Sequence, residues 1–174
     1  MEELEIEKRF LVTGENIEKL KSLVINETGV KMKDVYIPNG DAHKDLRLRQ
    51  KGNEYMITRK RPVVDGDLTT MLETTIALSK NEFDALSFGI ESDVEKERFL
   101  VDISEWRGEL DVFTGRHEGL VIIEFEFQNE ADLKDFEKNE SLGLIDVTNV
   151  EWIAGGRLAE IDRETLKGKL NAVL

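Results

Sequence analysis

Two stretches of the sequence carry carboxylates two residues apart. Glu5 and Glu7 precede Arg9 near the start of the chain, and Glu124 and Glu126 repeat the spacing further along. On a β-strand, residues two apart lie on the same face, with Cα atoms roughly 6.5 to 7 Å apart. Carboxylate pairs on one strand face suit Mg²⁺ or Mn²⁺, because these hard ions prefer oxygen ligands. The sequence therefore offers two candidate metal-ligating strands.

Basic residues form a second set with the same alternation. Between Lys44 and Arg61, seven basic residues accompany two acidic ones, so this segment carries +5 and the remainder −18. On charge alone, the simpler interpretation is a solvated hairpin. Arginine binds phosphate oxygens bidentately and lysine acts as a point charge, so strands that carry both suit a phosphate chain. The basic candidates on strand faces are Arg9, Arg47, Arg49, Lys60, Lys96 and Arg98, and Glu73 is a further acid. Carboxylates and cations together describe a site for metal-assisted phosphoryl transfer.

Composition excludes several classes of protein. The net charge of −13 over 174 residues argues against a duplex-DNA-binding module and against a binder of anionic membranes, since both carry basic surfaces. Cysteine is absent, which excludes a disulfide framework, a thiolate metal site and a cysteine nucleophile. The sequence shows no signal-peptide pattern and no apolar run long enough to span a membrane. We expect one cytoplasmic domain, residues 1–174, without a nucleic-acid or membrane partner.

Period-two alternation of apolar and polar residues predicts eight strands. They lie near 3–12, 33–37, 45–50, 54–61, 68–77, 93–101, 109–114 and 119–127, with hairpin turns at 51–53 and 65–67. Helices are predicted after Thr13 (with Ile17, Leu20, Leu23 and Val24 at helical spacing), from a capping box at Ser79 and Glu82, over 131–140, and between about 155 and 173. This element order predicts an α+β fold: a closed eight-stranded antiparallel β-barrel, or a strongly curved sheet, with helices packed outside.

Closure of this sheet would change the environment of its polar face. In an open antiparallel sheet, that face meets water and needs no ligand. In a closed barrel whose apolar face lies beneath the helices, six basic and five acidic side chains would gather in the interior. Burying so many charges without a ligand is costly, so the interior would be wet and built to bind something.

The order of these motifs resembles a known family. Glu5-Ile6-Glu7-Lys8-Arg9-Phe10 is similar to the N-terminal E-x-E-x-K signature of the CYTH domain, also called the triphosphate tunnel metalloenzymes. The later motifs follow in the family's order: Arg47-Leu48-Arg49, Thr58-Arg59-Lys60, Lys96-Glu97-Arg98-Phe99, Asp111-Val112-Phe113, and Gly119-Leu120 through Glu124-Phe125-Glu126. A single E-x-E is a weak pattern, but this ordered series covers essentially the whole chain.

The resemblance implies an eight-stranded tunnel that binds a triphosphate and one or two divalent metals, Mg²⁺ or Mn²⁺. The metal ligands it implies are Glu5, Glu7, Glu124 and Glu126, and the phosphate-binding residues are Arg47, Arg49, Lys60, Lys96 and Arg98, with Arg9 alongside. Short bacterial members are often inorganic triphosphatases, others hydrolyse thiamine triphosphate, and one branch cyclises ATP. The opening segment resembles the triphosphatase branch, so we expect hydrolysis of a triphosphate, foremost inorganic tripolyphosphate. A class IV type adenylate cyclase and a non-catalytic polyphosphate- or nucleotide-binding module are the alternatives.

Some positions depart from the family pattern. Arg9 stands where the family usually has lysine, and arginine keeps its proton at any working pH. In some relatives that lysine partners a tyrosine, at the place of Tyr36, to activate water, so the departure moves the expected base to Lys96. Met71 replaces the first carboxylate of a further E-x-E and leaves Glu73 alone, which weakens the case for a full second metal site. The catalytic candidates are accordingly Lys96, Arg9, Tyr36 and Glu73.

Other residues receive structural interpretations. His43 and His117 are expected in exposed loops, since their spacing forms no metal motif. Trp106 and Trp152 are expected in core or rim packing, and Asp111 either supports the ligands or faces a turn. The oligomeric state stays open: a helix face is available to a homodimer, but the sequence has no heptad repeat and no large apolar patch.

Overall fold

The computed structural model describes residues 2–26, 28–37, 46–139 and 143–173 of the chain. The strands in these ranges are β1 (Glu2–Leu11), β2 (Val30–Tyr36), β3 (Leu46–Lys51), β4 (Glu54–Val64), β5 (Asp67–Leu78), β6 (Asp93–Ile103), β7 (Trp106–Phe113), β8 (Val121–Phe127) and β9 (Ile145–Asp146). They form one antiparallel sheet in the order β5-β4-β3-β2-β6-β7-β8-β1-β9, and a further pairing between β5 and β1 closes it. The predicted closed eight-stranded antiparallel barrel is confirmed.

Strand β1 closes the barrel because different partners flank its two edges. Ile6 lies opposite both Thr70 of β5 and Phe127 of β8, so these two strands lie on opposite sides of β1. Beyond Ile6, β5 no longer pairs with β1. On the same edge of β1, β9 pairs with Phe10 and Leu11. The short β9 therefore covers a stretch of backbone that would otherwise be an open sheet edge.

The predicted strands are all present, and the hairpin between β6 and β7 is longer than the sequence indicated. The two strands continue to Ile103 and Trp106, which pair directly across a two-residue turn. Ser104 in this turn has a φ of 55°. Two-residue hairpin turns require positive φ, which glycine, asparagine or aspartate usually supplies. Because serine is not a turn signal of this kind, the alternation ended β6 too early and started β7 too late.

The helices are α1 (Glu15–Lys21), α2 (Lys80–Ser87), α3 (Glu130–Asn139), α4 (Gly155–Leu158) and α5 (Arg163–Val173). The capping box that starts α2 is present: the Ser79 hydroxyl accepts from the Glu82 N–H, and the Glu82 carboxylate accepts from the Ser79 N–H. The single helix predicted between 155 and 173 is wrong. Asp162 accepts a hydrogen bond from the Thr165 N–H at 2.7 Å and starts α5 as a separate helix.

The first helix is also shorter than its apolar spacing predicted. It ends at Lys21, and Val24 instead forms an isolated antiparallel bridge with Val101 of β6. Tertiary pairing with the barrel therefore overrides the local helical pattern at this point. No helix within the described residues combines the length and the apolar character needed to cross a membrane.

The apolar face of the sheet points outward and is covered by helices. An aromatic cluster lies between α3 and the strands β1, β7 and β8, and it contains Phe10, Trp106, Phe125, Phe127 and Phe136. The prediction that Trp106 takes part in core or rim packing is confirmed, since it is partly buried and packs against this core. On the strands whose apolar side chains belong to this outer core, the alternating polar side chains face the barrel interior.

The expectation of an exposed His117 is wrong. The imidazole is 1% exposed, and its Nε2 lies 2.8 Å from the carbonyl oxygen of Leu158 and 3.2 Å from that of Ile161. It joins the short 3₁₀ turn Gly115–His117 to the end of α4. The polar and glycine-rich sequence around it is typical of a surface loop, but the C-terminal segment packs over this loop. His43 lies outside the described residues.

A candidate active site inside the barrel

A cavity of about 580 Å³ lies inside the barrel, and charged side chains from most of the strands line it. Its wall includes the predicted residues Glu5, Arg9, Tyr36, Arg47, Arg49, Lys60, Glu73, Lys96, Arg98, Glu124 and Glu126. The remaining predicted residue, Glu7, is 1% exposed and contacts Lys60 and Arg9. The structure thus brings all the predicted site residues together, while their chemical roles stay predictions.

Three of the four predicted metal ligands form a compact group. Glu5, Glu7 and Glu126 each offer a carboxylate oxygen, and these oxygens all lie within 4.8 Å of one another. The register explains the grouping, since Glu7 lies opposite Glu126 and Glu5 shares its strand face. A donor set of carboxylate oxygens fits a hard divalent cation. Partial burial, Glu109 and Glu5 raise the pKa of Glu126 to about 7, although its side chain is the most exposed of the three.

The fourth predicted ligand, Glu124, is engaged by cations. Its carboxylate lies 2.7 Å from Nη2 of Arg98 and 3.3 Å from Nε of Arg9. Burial raises the pKa of Glu124, but Arg98, Lys96 and other cations outweigh it, and the pKa lies well below its usual value. Glu124 therefore stands as a fixed anion between guanidinium groups, and the compact group among the described residues does not include it.

Three carboxylates hold the cationic wall in place: Asp34 and Glu109, which the sequence reasoning missed, and Asp111, which was expected to support the ligands or face a turn. Asp34 accepts two hydrogen bonds from Arg49, at 2.7 and 2.8 Å. Asp111 accepts from Arg98 at 2.6 Å at both oxygens, and Glu109 also contacts Arg98. The signal for these residues was the same alternation. Asp34 shares a strand face with Tyr36, and Glu109 shares one with Asp111.

Two guanidinium groups carry a buried Nε that makes no hydrogen bond. They are Nε of Arg9, which is still ion-paired with the Glu124 carboxylate at 3.3 Å, and Nε of Arg47. Other atoms of the same side chains are engaged, since Arg9 contacts Glu7 and Nη2 of Arg47 lies 3.3 Å from Glu73. A buried donor without a partner costs roughly 1–3 kcal/mol. Both residues line the cavity, so an anion bound there would remove this cost.

The surroundings shift the pKa values of Lys96 and Tyr36 in opposite directions. Burial and the neighbouring Arg98 lower the pKa of Lys96, although its ammonium contacts Asp111. Burial raises the pKa of Tyr36, so the phenol stays protonated. The Tyr36 hydroxyl packs against Gly155 so closely that a Cβ at residue 155 would overlap it and lie 2.8 Å from the ring carbon Cζ. Any side chain larger than that of glycine at position 155 would therefore displace the Tyr36 hydroxyl.

One part of the cavity wall is apolar. Val94, Phe113 and Ile122 contribute from strands, and Ile153 and Leu158 contribute from the segment that follows β9. Leu158 is also the residue whose carbonyl oxygen meets the buried imidazole of His117. The C-terminal segment therefore covers one side of a cavity whose other walls are charged.

Fold and site together define a barrel of the CYTH domain family, and residues 3–164 match that domain, so the chain belongs to this family. The chain is 32% identical to the inorganic triphosphatase of Nitrosomonas europaea over 134 residues, which make up 76% of this chain and 82% of that protein. The family resemblance read from the sequence is confirmed.

Solved structures agree with this assignment. The crystal structure of the inorganic triphosphatase NE1496 has a TM-score of 0.61 and 27% identity, covering 89% of this chain and 93% of that chain. The PH1819 protein from Pyrococcus horikoshii has a TM-score of 0.57 and 20% identity, covering 82% of this chain and 92% of that chain. The likeness to the second protein concerns the fold alone.

Proposed function

We propose that this chain is a divalent-metal-dependent triphosphatase whose foremost substrate is inorganic tripolyphosphate. The observation that carries the proposal is the pair of buried Nε donors on Arg9 and Arg47 that make no hydrogen bond, in the cavity that Glu5 and Glu126 of the compact carboxylate group also line. Oxygen atoms of a phosphate chain match guanidinium donors in geometry and charge. The relationship to the N. europaea inorganic triphosphatase supports the same class of substrate.

In this proposal, the cationic wall binds the phosphate chain. Arg47, Arg49 and Arg98 are held by carboxylates, so they need little rearrangement when an anion enters. Fixed charges that already point at the reacting group stabilise developing negative charge at low cost. Glu73 contributes by holding Arg47, and Glu124 by holding Arg98, while both carboxylates keep the empty cavity from carrying excess positive charge.

Glu5, Glu7 and Glu126 would hold Mg²⁺ or Mn²⁺. A divalent cation bound there polarises a phosphoryl oxygen and neutralises part of its negative charge. The three carboxylates fix the position of that charge relative to the guanidinium groups, since all of them project from the strands of one closed sheet.

Lys96 is the proposed general base. Its pKa is lowered by burial and by Arg98, so at alkaline pH more of its side chain is neutral than in a free lysine. The neutral Nζ takes a proton from water as the water oxygen bonds to the terminal phosphorus, and the phosphoanhydride bond breaks in line. The products from tripolyphosphate are phosphate and pyrophosphate. Tyr36, whose pKa is raised by burial, acts as a hydrogen-bond donor in this scheme.

A substrate panel tests the proposal. Tripolyphosphate, ATP and thiamine triphosphate are each incubated with Mg²⁺ or Mn²⁺ from neutral to alkaline pH, and the products are separated by chromatography. We expect phosphate release, fastest from tripolyphosphate. Lys96→Met should lower kcat by about 10²–10⁴-fold, whereas Lys31→Met, which removes an exposed lysine of β2, should leave kcat unchanged.

Other outcomes of the panel point to the alternatives. Cyclic AMP and pyrophosphate from ATP would identify a cyclase in place of a hydrolase. Tight triphosphate binding in calorimetry without any turnover would identify a binding module. The cytoplasmic location and the absence of nucleic-acid and membrane partners stay predictions from the sequence, and the oligomeric state stays open.

A further inference from the structure

Lys60 lies between two of the carboxylates that form the candidate metal site. Its Nζ is 2.6 Å from Oε2 of Glu5 and 2.6 Å from Oε2 of Glu7. The side chain of Lys60 is 15% exposed and that of Glu7 is 1% exposed, so water screens these contacts little. The ammonium is therefore the cation that Glu5 and Glu7 share, while Arg9 contacts Glu7 as well.

A divalent cation and this ammonium cannot share the same oxygens. Glu5 and Glu7 would hold a divalent cation through carboxylate oxygens, and the ammonium contacts one oxygen of each. Two positive charges held by the same carboxylates repel strongly in a space where water is scarce. Binding of the metal therefore requires that the ammonium leave.

The cavity offers the displaced ammonium a destination on its cationic side. Lys60 projects into the cavity from β4, and it lies opposite Glu73 in the register with β5. Arg9 and Arg47 line the same cavity, and each carries a buried Nε that makes no hydrogen bond. Without an anion, an ammonium that moved toward these arginines would add to their repulsion. With a phosphate chain bound, it would gain an oxygen partner.

We propose that Lys60 is a positioning residue that exchanges between two anions. It neutralises Glu5 and Glu7 while no divalent cation is bound, and it turns to the phosphate chain when a cation takes its place. Divalent cation and triphosphate then bind with positive coupling, because the anion accepts the ammonium that the cation displaces. The inference rests on the proposed function, since it takes the triphosphate as the anion.

The first test measures Mn²⁺ binding without any phosphate, by calorimetry and by the EPR signal of free Mn²⁺. Lys60→Met should bind Mn²⁺ at least about tenfold more tightly than the unsubstituted protein, which corresponds to about 1.4 kcal/mol. Arg49→Met is the matched control inside the cavity. It removes the same charge, but Arg49 pairs with Asp34 and not with the metal group, so its effect should be several-fold smaller.

A control outside the cavity shows whether removing any lysine that contacts two carboxylates changes the Mn²⁺ affinity. Lys33 lies 2.7 Å from Asp93 and 2.9 Å from Glu95, and Lys33→Met should leave the Mn²⁺ affinity unchanged. Equal affinities of the Lys60→Met and Arg49→Met proteins would overturn the inference, because the effect would then be one of general charge. Weaker Mn²⁺ binding by Lys60→Met would overturn it as well.

The second test uses the unsubstituted protein and does not depend on the folding of a variant. The Lys60 ammonium is followed by ¹H–¹⁵N NMR while Mg²⁺ is added, first alone and then with a methylene-bridged triphosphate that cannot be hydrolysed. We expect the ammonium signal to shift on addition of Mg²⁺, and Mg²⁺ to saturate at lower concentration when the analogue is present. An unchanged Lys60 signal at saturating Mg²⁺ would refute the exchange.

Neither measurement depends on hydrolysis, so the two proposals can fail separately. A protein that hydrolyses tripolyphosphate but shows no ammonium exchange keeps its function and loses this role of Lys60. A protein that shows the exchange and the coupling, but no turnover with any substrate, keeps the role of Lys60 and is not a triphosphatase.

Discussion

Two arginine–aspartate pairs across the β6–β7 hairpin differ almost only in their surroundings. Arg98 lies opposite Asp111, and Asp102 lies opposite Arg107, in the same antiparallel ladder. The side chains of the first pair are 10% and 1% exposed, and those of the second are 46% and 63% exposed. The substitutions Asp111→Asn and Asp102→Asn therefore remove the same charge from the same kind of pair, one inside the barrel and one at its surface.

The buried substitution should be far more destabilising. Asp111 accepts from Arg98 at 2.6 Å at both oxygens and also contacts Lys96, so its loss leaves two buried cations short of a partner. Breaking a buried ion pair from one side costs about 3–5 kcal/mol. A protein of this size loses about 2–4 °C in Tm per kcal/mol, so Asp111→Asn should lower Tm by about 6–20 °C. Asp102→Asn should change Tm by no more than the error of the measurement, since water screens an exposed pair.

The assay is thermal and urea unfolding followed by circular dichroism, in a buffer free of phosphate and divalent cations. Equal urea m-values for the three proteins are required, so that midpoints compare stability alone. The reasoning is refuted if both substitutions lower Tm equally, or if Asp111→Asn is as stable as the unsubstituted protein. Asp111 also raises the pKa of Lys96, so if Lys96 is the base, the alkaline rise of activity should move to lower pH in Asp111→Asn.

Three further predictions address the metal group, the C-terminal segment and the outer core. The Glu126 pKa rises from 4.5 to about 7 on folding, so the metal-free protein loses stability from this group as pH rises through that interval. Bound Mn²⁺ offsets that loss, and it should raise Tm more at about pH 8 than at about pH 5.5, a difference that Glu126→Gln removes. Gly155→Ala should reduce kcat, because its Cβ would overlap the Tyr36 hydroxyl, whereas Gly168→Ala in α5 has open space and should raise Tm slightly. Phe136→Ala should cost about 3–5 kcal/mol in urea unfolding, since this ring is 2% exposed within the aromatic cluster; a cost below about 1 kcal/mol would contradict the packing.

Local periodicity was enough to predict the strands and the faces on which their side chains lie. The alternation around Glu5 and Glu7, and that around Glu124 and Glu126, required no knowledge of distant partners. The same rule holds for Asp34 and Glu109, although neither belongs to a pair of glutamates or to a basic motif. A uniform application of the two-residue rule to β2 and β7 would have placed both acids in the interior.

The partner of each charge could not be read in the same way. Glu124 and Glu126 are equivalent in the sequence pattern, yet Glu124 is held by Arg98, a residue 26 positions away, and Glu126 has acidic neighbours. The burial of His117 depends similarly on Leu158, 41 positions further along the chain. These contacts follow from the register between strands and from the packing of the C-terminal segment, and neither is a local property.

The sequence by itself determined an acidic chain with charged residues on alternating strand positions, in an order typical of one family. It determined these features because strand geometry repeats every two residues and needs only neighbouring positions. The tertiary structure alone decided that β1 pairs with β5, which turns a solvated polar face into a closed cavity. It also decided which carboxylates are paired with arginine and which meet Lys60. The reason is that the energy of a charge depends on its distance from other charges and from water, and the fold sets both distances.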